Sequence, residues 1–399
     1  MKSADANLLI HNGQVVTPDG VLSDGAVLIK DSKISYVGLL SEVVVPDSTP
    51  RLDANSGFIM PGFIDLHVNG GGGKDITEAT EDAIEQIGRG HAKGGTTGLL
   101  VAVTGPNSET AKRGLRNASA VSARGTGGAK ILGVHMEGPF VNPKRQGPVF
   151  REYEYVTNPS VDRIAPFVDA SEGVLRIVTM APELDGATQV IEFLVSQGIV
   201  ASVGHTEATY EQVIEGFRAG VSYCSHIFNA MTGLQAREPG TVGALLTSPE
   251  TVSVELVSDG HHVHPATIEV ILKSKGIEAI VLATDAVEVV GTNLDSFTLP
   301  IGAGMQVNVR NGRTWGPEGQ LIGSVLQMNH AVRNIYRWFK LPLHKVVKMA
   351  SLIPSRILGM QDSLGSLEVG KVADLAILDR DFEATATIVD GDVVFRRAN

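Results

Sequence analysis

Between residues 58 and 285 this sequence alternates short apolar runs with amphipathic segments, and this alternation constrains the fold more than any other feature. Short runs rich in Val, Ile and Leu are typical of buried parallel strands, and the segments between them are typical of surface helices. Eight strands, most of them followed by a helix, fit a (β/α)8 barrel of about 250 residues. A doubly wound sheet is the alternative, but it rarely needs eight evenly spaced units. The sequence therefore predicts an α/β fold of the (β/α)8 TIM type, with strands at Phe58–Val68, Gly98–Thr104, Lys130–His135, Leu175–Met180, Ile199–His205, Val221–His226, Val252–Ser258 and Ala279–Asp285.

The two ends of the chain have a different pattern, with short strand-like runs separated by turn signals. Asn12-Gly13 and Asp19-Gly20 punctuate the first end, and Asp390-Gly391 separates two apolar runs at the other. Neither end has enough residues for an independent core, so we expect them to assemble together. We predict a small composite β-sandwich domain from residues 1–57 and 357–399, and a catalytic barrel from residues 58–356. A glycine-rich stretch, Gly302–Gly323, predicts a hairpin before the last helix.

Charge and cysteine content exclude several classes of protein. The formal net charge of −11 argues against a nucleic-acid surface, and it means that an anionic substrate needs a locally positive pocket. The single cysteine, Cys224, excludes an internal disulfide framework and suits a reducing compartment. No apolar run approaches the length of a membrane span or a signal peptide. We therefore expect a cytoplasmic protein that binds neither nucleic acid nor membranes.

In a (β/α)8 barrel, the residues at the carboxyl ends of the strands build the active site. Here those positions are unusually rich in metal-ligand types: His67, Asn69, His135, Glu137, His205, His226, Asp259 and Asp285. The set Glu137, His205 and His226 combines a carboxylate with two imidazoles, which leaves a fourth zinc position open for water. Asp285 would then lie beside that water, placed to take its proton and pass it to a leaving nitrogen.

Several neighbouring residues have a simpler interpretation. Either His205 or His226 alone would be an ordinary histidine after a strand, and Glu137 could be a salt-bridge partner. We expect His135 to pack inside the barrel, and at least one of the three histidines in DGHHVH to face solvent. Gly70–Gly73 lacks the Gly-Lys-Ser/Thr ending of a phosphate-binding loop, so we expect an ordinary loop there.

The motifs around these residues resemble the amidohydrolase superfamily, and within it the N-acetylglucosamine-6-phosphate deacetylases. The most specific signal is SHIFNAM at 225–231 with AREPG at 236–240 downstream. The other matching motifs, in family order, are PGFIDLHVNG (61–70), HMEGPF (135–140), GHTEATY (204–210), DGHHV (259–263), ATDA (283–286) and GKVADLAIL (370–378).

The resemblance implies a role for each matching residue. It implies that Glu137, His205 and His226 bind one divalent metal ion, zinc before iron, cobalt or manganese, and that Asp285 is the general base and acid. Further implied contacts with the sugar phosphate come from Asn229, Ala230, His262 and, across a homodimer, Arg237 of the neighbouring subunit. The implied reaction removes the N-acetyl group of an amino-sugar 6-phosphate and releases acetate.

Two departures from the family pattern bear on this interpretation. Members with two metals carry His-x-His after the first strand, whereas this chain has His67 and Asn69, which favours a single metal with His67 as a candidate ligand of a second site. Val149 stands where the family usually has a histidine that holds the acetyl carbonyl, and losing such a donor costs about 10²-fold in rate if nothing replaces it. A different N-acyl sugar, a cyclic amide or a non-catalytic barrel acting as a sensor are therefore the alternatives.

Overall fold

Eight parallel strands form a barrel in the middle of the chain. The computed structural model describes residues 8–105, 107–147, 158–299 and 304–398. The strands pair in chain order, and a bridge between Val68 and Ala286 joins the last strand to the first. This confirms the predicted fold class. The barrel strands, numbered first to eighth below, are Phe63–Val68, Thr96–Val103, Lys130–Glu137, Leu175–Met180, Val200–Val203, Tyr223–Cys224, Ser253–Val257 and Ile280–Ala283.

A helix follows each barrel strand within the described residues. The helix Tyr210–Ala219 shows how the sequence sets these limits: Thr209 and Gln212 form a capping box at its start, and Gly220 ends it in a left-handed conformation. The other helices after the strands are Glu81–Ala92, Ser108–Arg124, Val161–Ala170, Ala187–Ser196, Gly240–Thr247, Pro265–Lys275 and Met328–Phe339, and two short helices follow at Leu343–Ala350 and Leu352–Ile357. Among the described helices none is long and apolar enough to cross a membrane.

Both ends of the chain contribute to a second sheet, as the sequence indicates. Its strands are Leu8–Thr17, Gly20–Lys30, Lys33–Leu39, Arg51–Asp53, Phe58–Pro61, Leu375–Leu378, Ala384–Val389 and Asp392–Arg396. Phe58–Pro61 links the two ends, because it pairs in parallel with the first of these strands and antiparallel with Leu375–Leu378. The buried side chains of this sheet form their own apolar cluster.

The predicted strand Phe58–Val68 is wrong in one respect: it is two strands that belong to different sheets. Gly62 separates them, and its N–H donates to the carbonyl of Asp374 at 2.9 Å. A Cβ atom at Gly62 would collide with Thr97, so only glycine lets the chain pass there. The run is apolar on both sides of Gly62, so hydrophobicity gave no sign of the change. The exact limits of the two predicted domains remain a prediction.

An insert lies between the eighth barrel strand and its helix. It contains a three-stranded antiparallel sheet, Ser296–Leu299, Met305–Arg310 and Arg313–Trp315, so it is larger than the hairpin predicted at Gly302–Gly323. The additional strand was missed because Ser296–Leu299 is short and alternates only twice between apolar and polar residues. An apolar cluster that includes Val287, Leu299 and Ile322 holds the insert together.

Candidate active site

A cavity of about 270 Å³ opens at the carboxyl ends of the barrel strands. Its lining includes seven of the residues selected from the sequence: Glu137, His205, His226, Asn229, Ala230, His262 and Asp285. Asn69 also lines it, whereas His67 is fully buried and Arg237 is exposed outside it. The predicted residues therefore meet in one place, with Arg237 as the exception; their roles in binding metal and substrate remain predictions.

Three donor atoms converge at the bottom of this cavity. The Nε2 atoms of His205 and His226 each lie 2.9 Å from Oε1 of Glu137, and they lie 3.2 Å from each other. All three residues are buried, and their donor atoms lie within 4.8 Å of one another. Electron-pair donors packed this closely require a proton or a metal cation among them. One carboxylate with two imidazoles is a donor set that zinc uses in catalytic sites, so these residues fit a divalent metal.

The protonation of His205 is set by the loop beside it. Its Nδ1 lies 2.6 Å from the carbonyl oxygen of Arg145. Because a carbonyl only accepts hydrogen bonds, Nδ1 carries the proton and the lone pair of Nε2 faces the cavity. This is the tautomer that a metal ligand needs, and it is fixed by a partner outside the donor set.

Backbone strain occurs at three of the predicted functional residues. His205, His226 and Asp285 have φ values of 48°, 27° and 50°, in a region that side chains other than glycine rarely adopt. Each residue follows shortly after a barrel strand, and this conformation bends the chain at the strand end. Such strain costs of order 1–3 kcal/mol per residue and concentrates at active sites. Its presence at all three positions supports a functional role for them.

Charge pairing governs the ionisation of the donor set. Burial alone raises the pKa of Glu137, but the adjacent imidazoles of His205 and His67 hold that pKa well below its usual range. Burial lowers the pKa of His226, but its hydrogen bond with Glu137 more than offsets this and raises the pKa. A metal ion binding here must therefore displace a proton from imidazole, which makes its affinity fall at low pH.

A buried network beneath the donor set was missed by the sequence reasoning. Nδ1 of His67 lies 2.8 Å from Oε1 of Glu255, and the Tyr223 hydroxyl donates to Glu255 at 3.1 Å. The available signal was a carboxylate in the middle of the apolar seventh strand, where a surface role is impossible. Nε2 of His67 is buried and has no hydrogen-bond partner among the described residues; it lies 3.7 Å from both Glu137 Oε2 and Asp285 Oδ1.

His135 belongs to this interior network, as the sequence predicts. It is buried with His67 and Glu255 in a second group whose atoms are close enough for a metal. Both of its ring nitrogens already have partners, however: the carbonyl of Leu66 at 3.0 Å and the hydroxyl of Thr179 at 2.7 Å. These contacts make His135 a packing and hydrogen-bonding residue of the barrel interior.

Both carboxylate oxygens of Asp285 have partners. Nδ2 of Asn69 donates to Oδ1 at 2.6 Å, and Nε2 of His262 lies 3.3 Å from Oδ2. His262 is in turn held by Asp259, whose Oδ2 lies 2.7 Å from Nδ1. Burial lowers the pKa of His262, but the two aspartates outweigh this and raise it to about 9. His262 is therefore a cation at neutral pH, and Asp285 is oriented from two sides.

The remaining predicted residues differ in position. Asn229 donates through Nδ2 to the carbonyls of His226 and Ile227, both at 3.3 Å, which keeps its side chain beside the metal-ligand loop. Of the histidines in DGHHVH, His261 and His264 are exposed, as expected for at least one of them. Val149 lies outside the described residues.

Comparison with known proteins agrees with this geometry. The family model for the amidohydrolase family matches residues 58–394. The chain is 37% identical over 341 residues to N-acetylglucosamine-6-phosphate deacetylase of Vibrio furnissii, covering 85% of this chain and 84% of the relative. It is 34% identical over 385 residues to N-acetylgalactosamine-6-phosphate deacetylase of Escherichia coli O157:H7, covering 95% and 97%.

A solved structure gives the same result at the level of the fold. The structure of N-acetyl-D-glucosamine-6-phosphate deacetylase from Mycobacterium smegmatis, determined with N-acetyl-D-glucosamine-6-phosphate, superposes with a TM-score of 0.88. The two chains are 31% identical, and the match covers 98% of this chain and 100% of the other. On the barrel, the cavity and these matches together, the chain belongs to the amidohydrolase family.

Proposed function

We propose that this protein is a metal-dependent hydrolase that removes the N-acetyl group from an amino-sugar 6-phosphate, with N-acetylglucosamine 6-phosphate as the first substrate to test. The observation that carries the proposal is the convergence of Glu137, His205 and His226 beside Asp285 in one cavity. Relatives named as deacetylases of two epimeric amino-sugar phosphates support the substrate class. We place the enzyme in the cytoplasm, since its one cysteine is a buried free thiol.

We propose one divalent ion per chain, zinc first, held by Glu137, His205 and His226. When bound, such an ion supplies Lewis-acid polarisation of the amide carbonyl and lowers the pKa of water. Asn69 donates to Asp285 in this structure instead of facing the donor set, which supports a single ion. The dihydroorotase-type alternative uses a bridging lysine, and the described lining of the cavity contains none.

Asp285 moves the protons of the reaction. Its carboxylate accepts a proton from the attacking water, whose oxygen forms the new bond to the acyl carbon. The carbon–nitrogen bond then breaks as the same carboxyl group gives the proton to the nitrogen, so the products are the amino sugar and acetate. Asn69 and His262 hold the two oxygens of Asp285 in place during these transfers.

The phosphate needs a cation that the described lining of the cavity supplies only in part. His262 is cationic, but no lysine or arginine is among the described lining residues. Arg237 lies on an exposed loop, and we propose that it reaches the cavity of a neighbouring subunit in a homodimer. A planar guanidinium binds phosphate in a bidentate manner, which suits a pocket in an otherwise acidic protein.

The proposal is tested by measuring acetate release from zinc-loaded protein. The substrates are N-acetylglucosamine, N-acetylgalactosamine and N-acetylmannosamine, each with and without the 6-phosphate. We expect turnover of at least one phosphorylated sugar, a much lower kcat/KM without phosphate, and none in Asp285→Asn. Failure to hydrolyse all six compounds, or unchanged turnover in Asp285→Asn, would contradict the proposal.

A further inference from the structure

The insert after the eighth barrel strand gives the cavity an apolar wall. Val287, Leu299 and Ile322 belong to the apolar cluster of the insert and also line the cavity, and Leu321 lines it beside them. Their side chains are otherwise buried, with Val287 3% and both Leu299 and Ile322 5% exposed. The surface that these residues leave uncovered is therefore the part that faces the cavity. We call this surface, formed by Val287, Leu299, Leu321 and Ile322, the apolar wall.

The apolar wall is fastened to the residue that we propose to carry the protons. The carbonyl of Asp285 accepts from the N–H of Ser324 at 2.8 Å, and the N–H of Val287 donates to the carbonyl of Ser324 at 3.0 Å. Gly323 is packed so tightly here that a Cβ atom would lie 2.6 Å from Val287 Cγ1 and 2.8 Å from the carbonyl oxygen of Asp285. The apolar wall thus adjoins the reacting end of the cavity.

A different group of residues lines the part of the cavity assigned to the sugar phosphate. Asn229 and Ala230 come from the loop after the sixth strand, and they offer amide groups rather than apolar side chains. Sugar hydroxyls that met the apolar wall would lose hydrogen bonds to water without replacement, which is unfavourable. The part of the substrate that gains from this wall is a hydrocarbon chain on the acyl carbon. An acetyl group offers only one methyl group to it.

We propose that the site accepts acyl groups longer than acetyl, and that it hydrolyses N-propionyl and N-butyryl amino-sugar 6-phosphates at least as efficiently as the N-acetyl compounds. This inference rests on the proposed function. The bond changes are the same: the water oxygen bonds to the acyl carbon, the carbon–nitrogen bond breaks, and the nitrogen receives the proton. The products are the amino-sugar phosphate and propionate or butyrate.

The test compares kcat/KM for N-acetyl-, N-propionyl- and N-butyrylglucosamine 6-phosphate with the zinc-loaded enzyme. Each methylene buried against apolar surface improves binding by about fourfold, so we expect kcat/KM to rise by up to that factor from acetyl to propionyl. A propionyl value below the acetyl value overturns the inference while leaving the proposed function intact. An enzyme that hydrolyses none of the three overturns both.

Two neighbouring valines provide a matched pair of variants. Val287 and Val289 belong to the same apolar cluster and are 3% and 4% exposed, but only Val287 lines the cavity. Val→Thr keeps the volume and adds a hydroxyl, so both substitutions disturb the cluster to a similar degree. We expect Val287→Thr to lower the propionyl-to-acetyl ratio of kcat/KM by about threefold or more, and Val289→Thr to leave it unchanged. Equal ratios in the two variants would overturn the assignment.

Product binding gives a readout that does not depend on turnover of the acyl substrates. Butyrate should inhibit hydrolysis of the N-acetyl compound at a lower concentration than acetate does, and Val287→Thr should reduce this difference. Inhibition by acetate and butyrate at the same concentration would show that the apolar wall does not contact the acyl chain, and would overturn the inference.

Discussion

Removing the Asn69 amide tests how the geometry of Asp285 is maintained. The distance of 2.6 Å from Nδ2 to Oδ1 is at the short end of the range for hydrogen bonds to a charged acceptor, whereas His262 is 3.3 Å from the other oxygen. Hydrogen bonds to charged groups contribute about 1.5–3 kcal/mol. If the orientation of Asp285 is needed in the transition state, Asn69→Ala should lower kcat by about 10- to 150-fold.

The assay is steady-state kinetics of acetate release together with metal analysis of the same samples. Asn69→Asp is the informative partner variant, because it has the same shape but lacks the donor and adds a negative charge beside Asp285. We expect the order of kcat to be wild type, then Asn69→Ala, then Asn69→Asp, with about one zinc ion per chain in all three. Wild-type activity in Asn69→Asp would show that the residue only fills space. A changed metal content in Asn69→Ala would make it a metal ligand instead.

Three further predictions concern the metal, the dimer and pH-dependent stability. His226→Ala should lose the bound metal, and wild-type metal affinity should weaken from pH 8 to pH 6 because protons compete for imidazole; a pH-independent affinity by titration calorimetry would contradict this. Arg237→Ala should raise KM for phosphorylated sugars at least tenfold, with partial rescue by Arg237→Lys and little change for unphosphorylated sugars; equal effects on both would exclude a phosphate contact. Burial and nearby carboxylates raise the pKa of Glu288 to about 7. The folded state therefore binds its proton more tightly than the unfolded state does, and stability falls as pH rises from about 4.5 to 7. Glu288→Gln should remove a loss of about 1 kcal/mol between pH 5 and 8, a figure reduced for the partial exposure of this residue, and parallel pH profiles in urea denaturation would refute it.

The sequence predicted the strand ends well because the residue types there are unusual for their surroundings. His205, His226 and Glu137 each interrupt an apolar pattern at a place where barrel topology gives them a common destination. Glu255 is equally unusual, but it lies inside a strand, and only the packed barrel shows that it reaches His67. The contacts of Asp285 with Asn69 and His262 join residues far apart in the chain, and no local pattern encodes them.

The insert shows the opposite limit of sequence reasoning. Its apolar residues are ordinary for a small core, and the sequence predicted only a hairpin there. That Val287 and Ile322 also face the cavity depends on how the insert closes back on Asp285 through Ser324. A side chain that serves a core and a binding surface at once has no signature in composition or periodicity.

The strand Phe58–Pro61 also affects the order in which the chain can fold. It pairs with Leu375–Leu378, roughly 300 residues away along the chain, and it runs directly into the first barrel strand through Gly62. Contacts this distant in sequence slow folding, because a long loop must close before they form. During synthesis on the ribosome, the N-terminal strands therefore wait with one hydrogen-bonding edge open until the C-terminal strands emerge. That edge is the part of the nascent chain most exposed to mispairing, and its closure is a late event that pulsed hydrogen exchange during refolding can time.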